Sequence, residues 1–210
     1  MSLQSIWRCP ICHSEVRSAD GRLECVGCER SFPTVSGIPD FRLTIPRYLD
    51  AAADIELAQE LGESSLSLED MVRTVFSRRL DWDKARIELR TRGVLSARRN
   101  LHDDLEGWLK SAAGREPFLD LGCGGGMLMA AATEMKPGLT VIGIDASMTW
   151  LVVAQKYVSE WGGKSILAAA MAEALPFADA TIPAVVSLDV IEHVDDPDVY
   201  LAEINRVLQP

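Results

Sequence analysis

Four of the five cysteines fall in two pairs, Cys9-Pro10-Ile11-Cys12 and Cys25-Val26-Gly27-Cys28, with twelve residues between the pairs. A two-residue spacer lets both thiolates of a pair reach one ion, and two such knuckles close a tetrahedral site. Thiolates select zinc over harder cations, with iron as the other occupant of such a cage. Four protein ligands leave no open position for a substrate, so the Zn2+ expected at Cys9, Cys12, Cys25 and Cys28 is structural. It would supply on the order of 10–16 kcal/mol of folding free energy to a unit too small to hold itself together. Two disulfides are the alternative, disfavoured because Met1–Pro10 lacks the apolar stretch of a secretion leader. His13 adjoins a ligand, but four cysteines already suffice, and it reads as a surface residue.

The second constellation lies far downstream. Phe118-Leu119-Asp120-Leu121 runs into Gly122-Cys123-Gly124-Gly125-Gly126 and then into a helical stretch, Met127 to Met135. Strand, glycine turn and helix make a nucleotide-binding βα unit, in which a ligand can approach bare backbone and the free N–H groups of a helix start. Thr140-Val141-Ile142-Gly143-Ile144-Asp145 is a second buried strand, ending in a carboxylate nineteen residues after Gly126. A carboxylate there is placed to accept hydrogen bonds from ribose hydroxyls; it could equally cap the helix that starts near Ser147. Two ligand classes fit, a dinucleotide and S-adenosylmethionine. Dinucleotide loops run G-x-G-x-x-G, whereas this one is Asp120-x-Gly-x-Gly-x-Gly. A carboxylate so placed repels a pyrophosphate and attracts the ammonium of a methionine moiety, which favours S-adenosylmethionine.

Both ends of the chain carry resemblances. Cys-Pro-x-Cys, Asp20-Gly21-x-Leu-x-Cys-x-x-Cys, Phe32-Pro33 and Gly37-Ile38-Pro39-Asp40-Phe41 are similar to the zinc ribbon of the small activator subunit of tRNA and protein methyltransferases. Asp120 to Gly126, Gly143 to Ser147, Ala172-Glu173-Ala174-Leu175-Pro176-Phe177, Ser187-Leu188-Asp189-Val190-Ile191-Glu192-His193-Val194 and Ala202 to Pro210 resemble, in order, the class I S-adenosylmethionine-dependent methyltransferases. The second resemblance implies that Asp120, Gly122, Cys123, Gly124 and Gly126 hold the methionine half. It implies that Asp145 holds the ribose, that Ala146, Met171 and Ala172 face adenine, and that Asp189 lines the pocket. Met171 stands where an acid is usual. No catalytic residue is identified; His193, next to the expected methyl position, is the candidate for a general base, with a structural role as its alternative. Only four of the family's seven strands are present, near 117–121, 140–144, 165–169 and 184–189.

The elements needed to position these groups follow. The expected fold class is α/β: a Rossmann-like methyltransferase sheet, C-terminally incomplete, with a small N-terminal zinc ribbon and a helical connector. The expected domains are a ribbon (1–45), a helical connector or substrate cap (46–115), and an S-adenosylmethionine-binding domain (116–210) truncated after the fourth strand and its helix. In the ribbon, Asp20-Gly21 reads as a hairpin tip. In the connector, Ser67 reads as an N-cap, Gly93 as a break or bend, and Trp82 and Trp108 as packing anchors. Residues 71–99 carry nine basic and three acidic side chains, in a chain of net charge −10. The run (Arg73, Arg78, Arg79, Lys84, Arg86, Arg90, Arg92, Arg98, Arg99) could meet RNA, or could be a helix face paired with the protein's own acids, the reading preferred here.

The 210 residues are 48% hydrophobic and 25% charged, which excludes wholesale disorder. The net negative charge argues against coating nucleic acid or anionic membrane, and no run reaches the roughly 18 apolar residues of a spanning helix. The expected protein is a cytoplasmic transferase acting on a small molecule, or on RNA through Arg73 to Arg99, with the ribbon as a candidate protein-docking surface. Its alternative is a non-catalytic binding module with a vestigial methyltransferase domain.

Overall fold

The computed structural model describes residues 6–79, 81–97, 106–108, 110 and 115–210. Two sheets are present. The first is antiparallel, in the order β1 (Val16–Ala19), β2 (Arg22–Cys25), β3 (Ser31–Val35), β4 (Ile38–Pro39). Its β1–β2 turn is Asp20-Gly21, both residues at positive φ, 47° and 79°, the mirror-image turn that matches strand twist. The second is parallel, built from β5 (Phe118–Leu121), β6 (Thr140–Asp145), β7 (Lys164–Ala169) and β8 (Ala184–Val186), in spatial order β7-β6-β5-β8. The chain steps outward from β5 to β7, then returns to β8 on the far side of β5. The crevice at the carboxyl ends of β5 and β8 is therefore a topological switch point, where open α/β sheets bind ligands.

A parallel sheet is buried on both faces, which is why β5 has no exposed residue. One face packs against α1 (Ala51–Glu63), α2 (Leu68–Arg79), α4 (Met127–Met135) and α5 (Met148–Glu160), through Phe118, Val141, Met129, Leu151 and Leu61. The other face, Leu119, Leu121, Ile142 and Ile144, is covered by the antiparallel ribbon and by α6 (Pro197–Val207). Four aromatic rings join the ribbon to that face. Trp7 stacks on Phe177 at 5.4 Å between centroids and leans on Phe41 at 5.6 Å, and Phe41 packs on Phe32 at 4.9 Å. The backbones join as well: the Phe41 N–H donates to the Ala169 carbonyl at the end of β7 (2.7 Å), and the Arg8 N–H to Pro176 (2.9 Å).

The connector helices are positioned by local chemistry. Asp50 caps α1 through the N–H groups of Ala52 and Ala53, and the Ser67 hydroxyl accepts from Asp70 at the head of α2. Gly93 does not interrupt α3 (Lys84–Ala97). An exposed helical glycine costs only about 1 kcal/mol relative to alanine, and Ile87, Val94 and Leu95 packing on the core offset it. Trp82 stacks on Phe76 (5.5 Å), and Trp108 meets Phe118 edge-on (5.7 Å). Two arginines of the run pair with the protein's own acids, and two lie over an indole ring. Arg73 pairs with Glu69, Asp70 and Glu88, Arg78 pairs with Glu60, and Arg86 and Arg90 lie over the Trp82 ring. Arg98, Arg99 and the Arg79 side chain lie outside the described residues. No described helix is long and apolar enough to cross a membrane.

Phe177 is fully buried between ribbon and sheet. Its replacement by alanine is expected to cost about 3–5 kcal/mol of stability. Urea denaturation checks this, and a loss below about 1 kcal/mol would show that the two units do not share one core.

Candidate functional site

The four cysteine sulfurs of the ribbon all lie within 4.8 Å of one another. Cys9 Sγ is 3.6 Å from Cys28 Sγ, and Cys12 Sγ is 3.4 Å from Cys25 Sγ, too far for disulfides and suited to edges of a tetrahedron around one ion. The two knuckles have the same construction. His13 and Glu29, each following the second cysteine of its pair, adopt φ of 56° and 57°. Their N–H groups close the turns onto the Cys9 and Cys25 carbonyls at 2.9 and 3.1 Å. His13 thus serves as a turn residue with an exposed ring. The N–H groups of Gly27 and Cys28 donate to Cys25 Sγ (3.3 and 3.4 Å) and fix where that sulfur points. Hydrogen bonding to Ser14 pulls the Cys12 thiol down to about 6, whereas burial pushes Cys9 up. The donor set fits a structural Zn2+.

At the switch point of the parallel sheet is a cleft of about 110 Å3. Its floor is Gly122, Ile144, Asp145 and Ala146; one wall is Ala170 to Glu173, and the other is Asp189, Val190, His193 and Val194. Tyr48 hangs over it from the link between ribbon and α1, its ring centroid 6.0 Å from that of His193. A second cavity, about 550 Å3, meets the first at Tyr48 and Asp145 and is walled by Val75, Phe76, Arg78 and Trp150.

The carboxylate of Asp145 is held from both sides. Its Oδ2 accepts from the Gly124 N–H and its Oδ1 from the Ser147 N–H, both at 2.8 Å. The cap of α5 falls to Ser147, whose hydroxyl accepts from the Trp150 N–H. Gly122 has φ of 78°, and a Cβ there would lie 2.1 Å from a Val190 methyl, so only glycine lets the loop close against the wall. Asp189 sits at φ 55°, strained for a residue with a side chain, at the rim. The Ala174–Phe177 segment behind the cleft is clamped by α6: the Leu175 N–H donates to Glu203, and Arg206 donates to the Leu175 and Phe177 carbonyls.

Of the residues singled out from sequence, Gly122, Asp145, Ala146, Met171, Ala172, Asp189 and His193 line this cleft. Asp120, Cys123, Gly124 and Gly126 do not. Gly124 orients Asp145. Gly126 starts α4, and a Cβ there would collide with Ala154, so it serves the contact between α4 and α5. The Cys123 thiol is buried, pushed well up by that burial, and packs beneath Gly143 of β6. Asp120 is 4% exposed, and its Oδ2 has no hydrogen-bond partner among the described residues. Burial, with the charge of Asp145 adding, lifts its carboxyl to about 8. An orphaned carboxylate oxygen beneath a nucleotide-type loop fits a cationic ligand group, directly or through water. Sequence reasoning missed Tyr48 and Glu173. Tyr48 belongs to no motif, and Glu173, whose Oε1 accepts from the Asp195 N–H, lies inside a segment recognised only as a whole.

Comparison with known proteins agrees with the motifs. Residues 119–210 match a family described as a methyltransferase domain. A ubiquinone biosynthesis O-methyltransferase from Brucella ovis is 37% identical over 93 residues, 44% of this chain and 37% of that protein. The chain thus spans less than two fifths of the length of that curated relative. Among solved structures, an S-adenosylmethionine-dependent methyltransferase from Aquifex aeolicus is similar at 24% identity, with a TM-score of 0.44 over 51% of this chain and 59% of that one. A chain of the complex between the Haloferax volcanii Trm112 methyltransferase activator and a methyltransferase is similar at 24% identity, TM-score 0.39, over 52% of this chain and 57% of that one.

Two outcomes follow from the geometry. Metal analysis is expected to find one zinc per chain, and chelation to lower the melting temperature while exposing four thiols to a thiol reagent; an unchanged melting temperature would remove the structural role. For Asp120, the folded state holds its proton up to about pH 8, whereas the unfolded chain releases it near pH 3.9. Its contribution to stability therefore falls as pH rises from about 4 to about 8. Asp120→Asn should raise the melting temperature more at pH 8.5 than at pH 5.5, and equal shifts at both would show an unperturbed carboxyl.

Proposed function

We propose that this chain is an S-adenosylmethionine-dependent methyltransferase with a small-molecule acceptor, built as a ribbon (1–45), a connector and cap (46–115) and a cofactor domain (116–210). The observation that carries the reading is the unpaired buried oxygen of Asp120, set below a cleft whose floor holds the fixed carboxylate of Asp145. In this reading Asp145 accepts the ribose hydroxyls with its remaining lone pairs, Ala146, Met171 and Ala172 form the adenine slot, and the methionine ammonium answers Asp120. The cofactor supplies an activated methyl group on a sulfonium. The chain's part is alignment and desolvation: it holds the two halves of the ligand apart, screens the cleft with Tyr48, and aims an acceptor at the methyl carbon. In the same reading His193, on the short 3-10 turn Ile191–His193, is the candidate general base for an acceptor O–H.

The acceptor assignment is supported by the named activity of the Brucella relative. It is also supported by the cavity beside the cleft, whose mixed lining of Val75, Phe76 and Trp150 with Asp50 and Arg78 suits a compact molecule, and by the pairing of Arg73 and Arg78 with the protein's own acids. The cytoplasmic setting belongs to the same proposal, since a reducing compartment keeps the four thiolates available. The ribbon's aromatic face is turned onto the chain's own sheet, which disfavours a pure docking module using that face.

Calorimetric titration of the zinc-loaded chain is expected to show saturable binding of S-adenosylhomocysteine and none of NADH. Asp145→Ala should weaken the former at least tenfold. Near pH 7 Asp120 begins protonated, so binding should release close to one proton, read as a heat that varies with the ionisation enthalpy of the buffer. Binding of NADH alone, or of neither ligand, would sink the reading.

A further inference from the structure

Arg42 follows the last ribbon strand, and its side chain is 1% exposed. Its guanidinium is shared among three parts of the chain. Nε and Nη2 donate to the two oxygens of Asp40 (2.8 and 2.6 Å), and Nη1 donates to Asp54 Oδ2 of α1 (3.0 Å) and to the carbonyl of Ala146 (2.9 Å). Asp54 in turn accepts from the Met148 N–H (2.8 Å), the Ser147 hydroxyl (2.9 Å) and the Thr149 N–H (3.2 Å). Arg42 and Asp54 therefore grip Ala146, Ser147, Met148 and Thr149 in succession, immediately after Asp145. The corner that carries the ribose acid and the adenine wall is held by a ribbon residue and a connector residue, and not by its own strand and helix alone.

The same guanidinium is tied to the cysteine cage through the ribbon's ladder. β2 ends at Cys25 and pairs with β3; β3 pairs with β4 at Thr34 and Pro39; and the Asp40 N–H donates to the Pro33 carbonyl (2.9 Å). Asp40 then holds two of the three guanidinium nitrogens. A ribbon of this size depends on its metal for order, so the metal decides how firmly Asp40 presents Arg42 to Ala146.

We propose that Arg42 is a positioning residue for the adenosine half of the cofactor cleft, and that through it metal occupancy of the cysteine cage sets cofactor affinity. The proposal rests on the cofactor reading above. Its physical content is pre-organisation: a corner already fixed by Arg42 loses little freedom when ligand arrives, whereas a corner released from it must be ordered at the ligand's expense.

The test uses the full chain and S-adenosylhomocysteine, titrated into zinc-loaded wild type, metal-stripped wild type, Arg42→Lys, and Arg42→Met with and without metal, with far-UV circular dichroism to establish folding. Arg42→Met is expected to bind at least tenfold more weakly, and Arg42→Lys, whose single nitrogen cannot span all three partners, by an intermediate factor. Stripping the metal should weaken wild type and add little to Arg42→Met, because the link is already cut. The proposal falls if folded Arg42→Met binds like wild type, or if stripping the metal weakens both equally. Should Arg42→Met not fold, wild-type affinity in Arg42→Lys overturns it instead. A wild type that does not bind at all rejects the cofactor reading, and this inference with it.

Discussion

A parallel sheet tolerates water on neither face, and most of this architecture answers that constraint. Helices α1, α2, α4 and α5 close one side. On the other, α6 covers only part of the surface, and the ribbon covers Leu119, Leu121, Ile142 and Ile144 with Trp7 and Phe41. The cysteine-bearing ribbon is thus a structural layer of the α/β unit. A metal in its cage would stabilise a small fold and, through the shared aromatic core, the sheet beneath it.

Sealing Arg42 and Asp54 inside this assembly is costly in principle, since two charges leave water and their attraction returns only part of the loss. What makes the pair tolerable is the density of dipoles around it. Burial alone would push the Asp54 carboxyl up, yet hydrogen bonds from Thr149, Ser147 and Met148 hold it below the ordinary carboxylate range. The free N–H groups at the start of α5 supply much of that support. A helix start is therefore capped twice, by its own Ser147 and by a carboxylate from 93 residues earlier in the chain, and the second cap carries information about where the connector sits.

The cysteine cluster was legible because its geometry is enforced locally: two residues between two cysteines let a tight turn bring both sulfurs together. The βα unit was legible for the same reason, as Gly124 and Asp145 meet within one supersecondary motif. Legibility ended where function depends on residues brought together across the chain. Tyr48 over the cleft and Arg42 on Ala146 look like ordinary loop residues until the ribbon is docked. Gly93 was misread because propensity is a weak force beside the packing of Ile87 and Leu95 in the same helix. Gly126 and Cys123 carried the right pattern for ligand contact, but in the fold they serve the packing of α4 against α5 and β6.

The hydrogen bond from Phe41 to Ala169, with the Trp7–Phe177 stack beside it, has one more consequence, which concerns concentration. Were the ribbon a separate polypeptide, seating it on the edge of β7 would require giving up translational and rotational freedom worth roughly 4–15 kcal/mol. Occupancy would then follow dilution. Joined through the helical connector, whose α1 and α2 pack on the same sheet, the two surfaces meet at an effective local concentration set by that tether and not by dilution. Each sheet is accompanied by one ribbon whatever the amount of protein in the cell, so stoichiometry is written into the polypeptide itself.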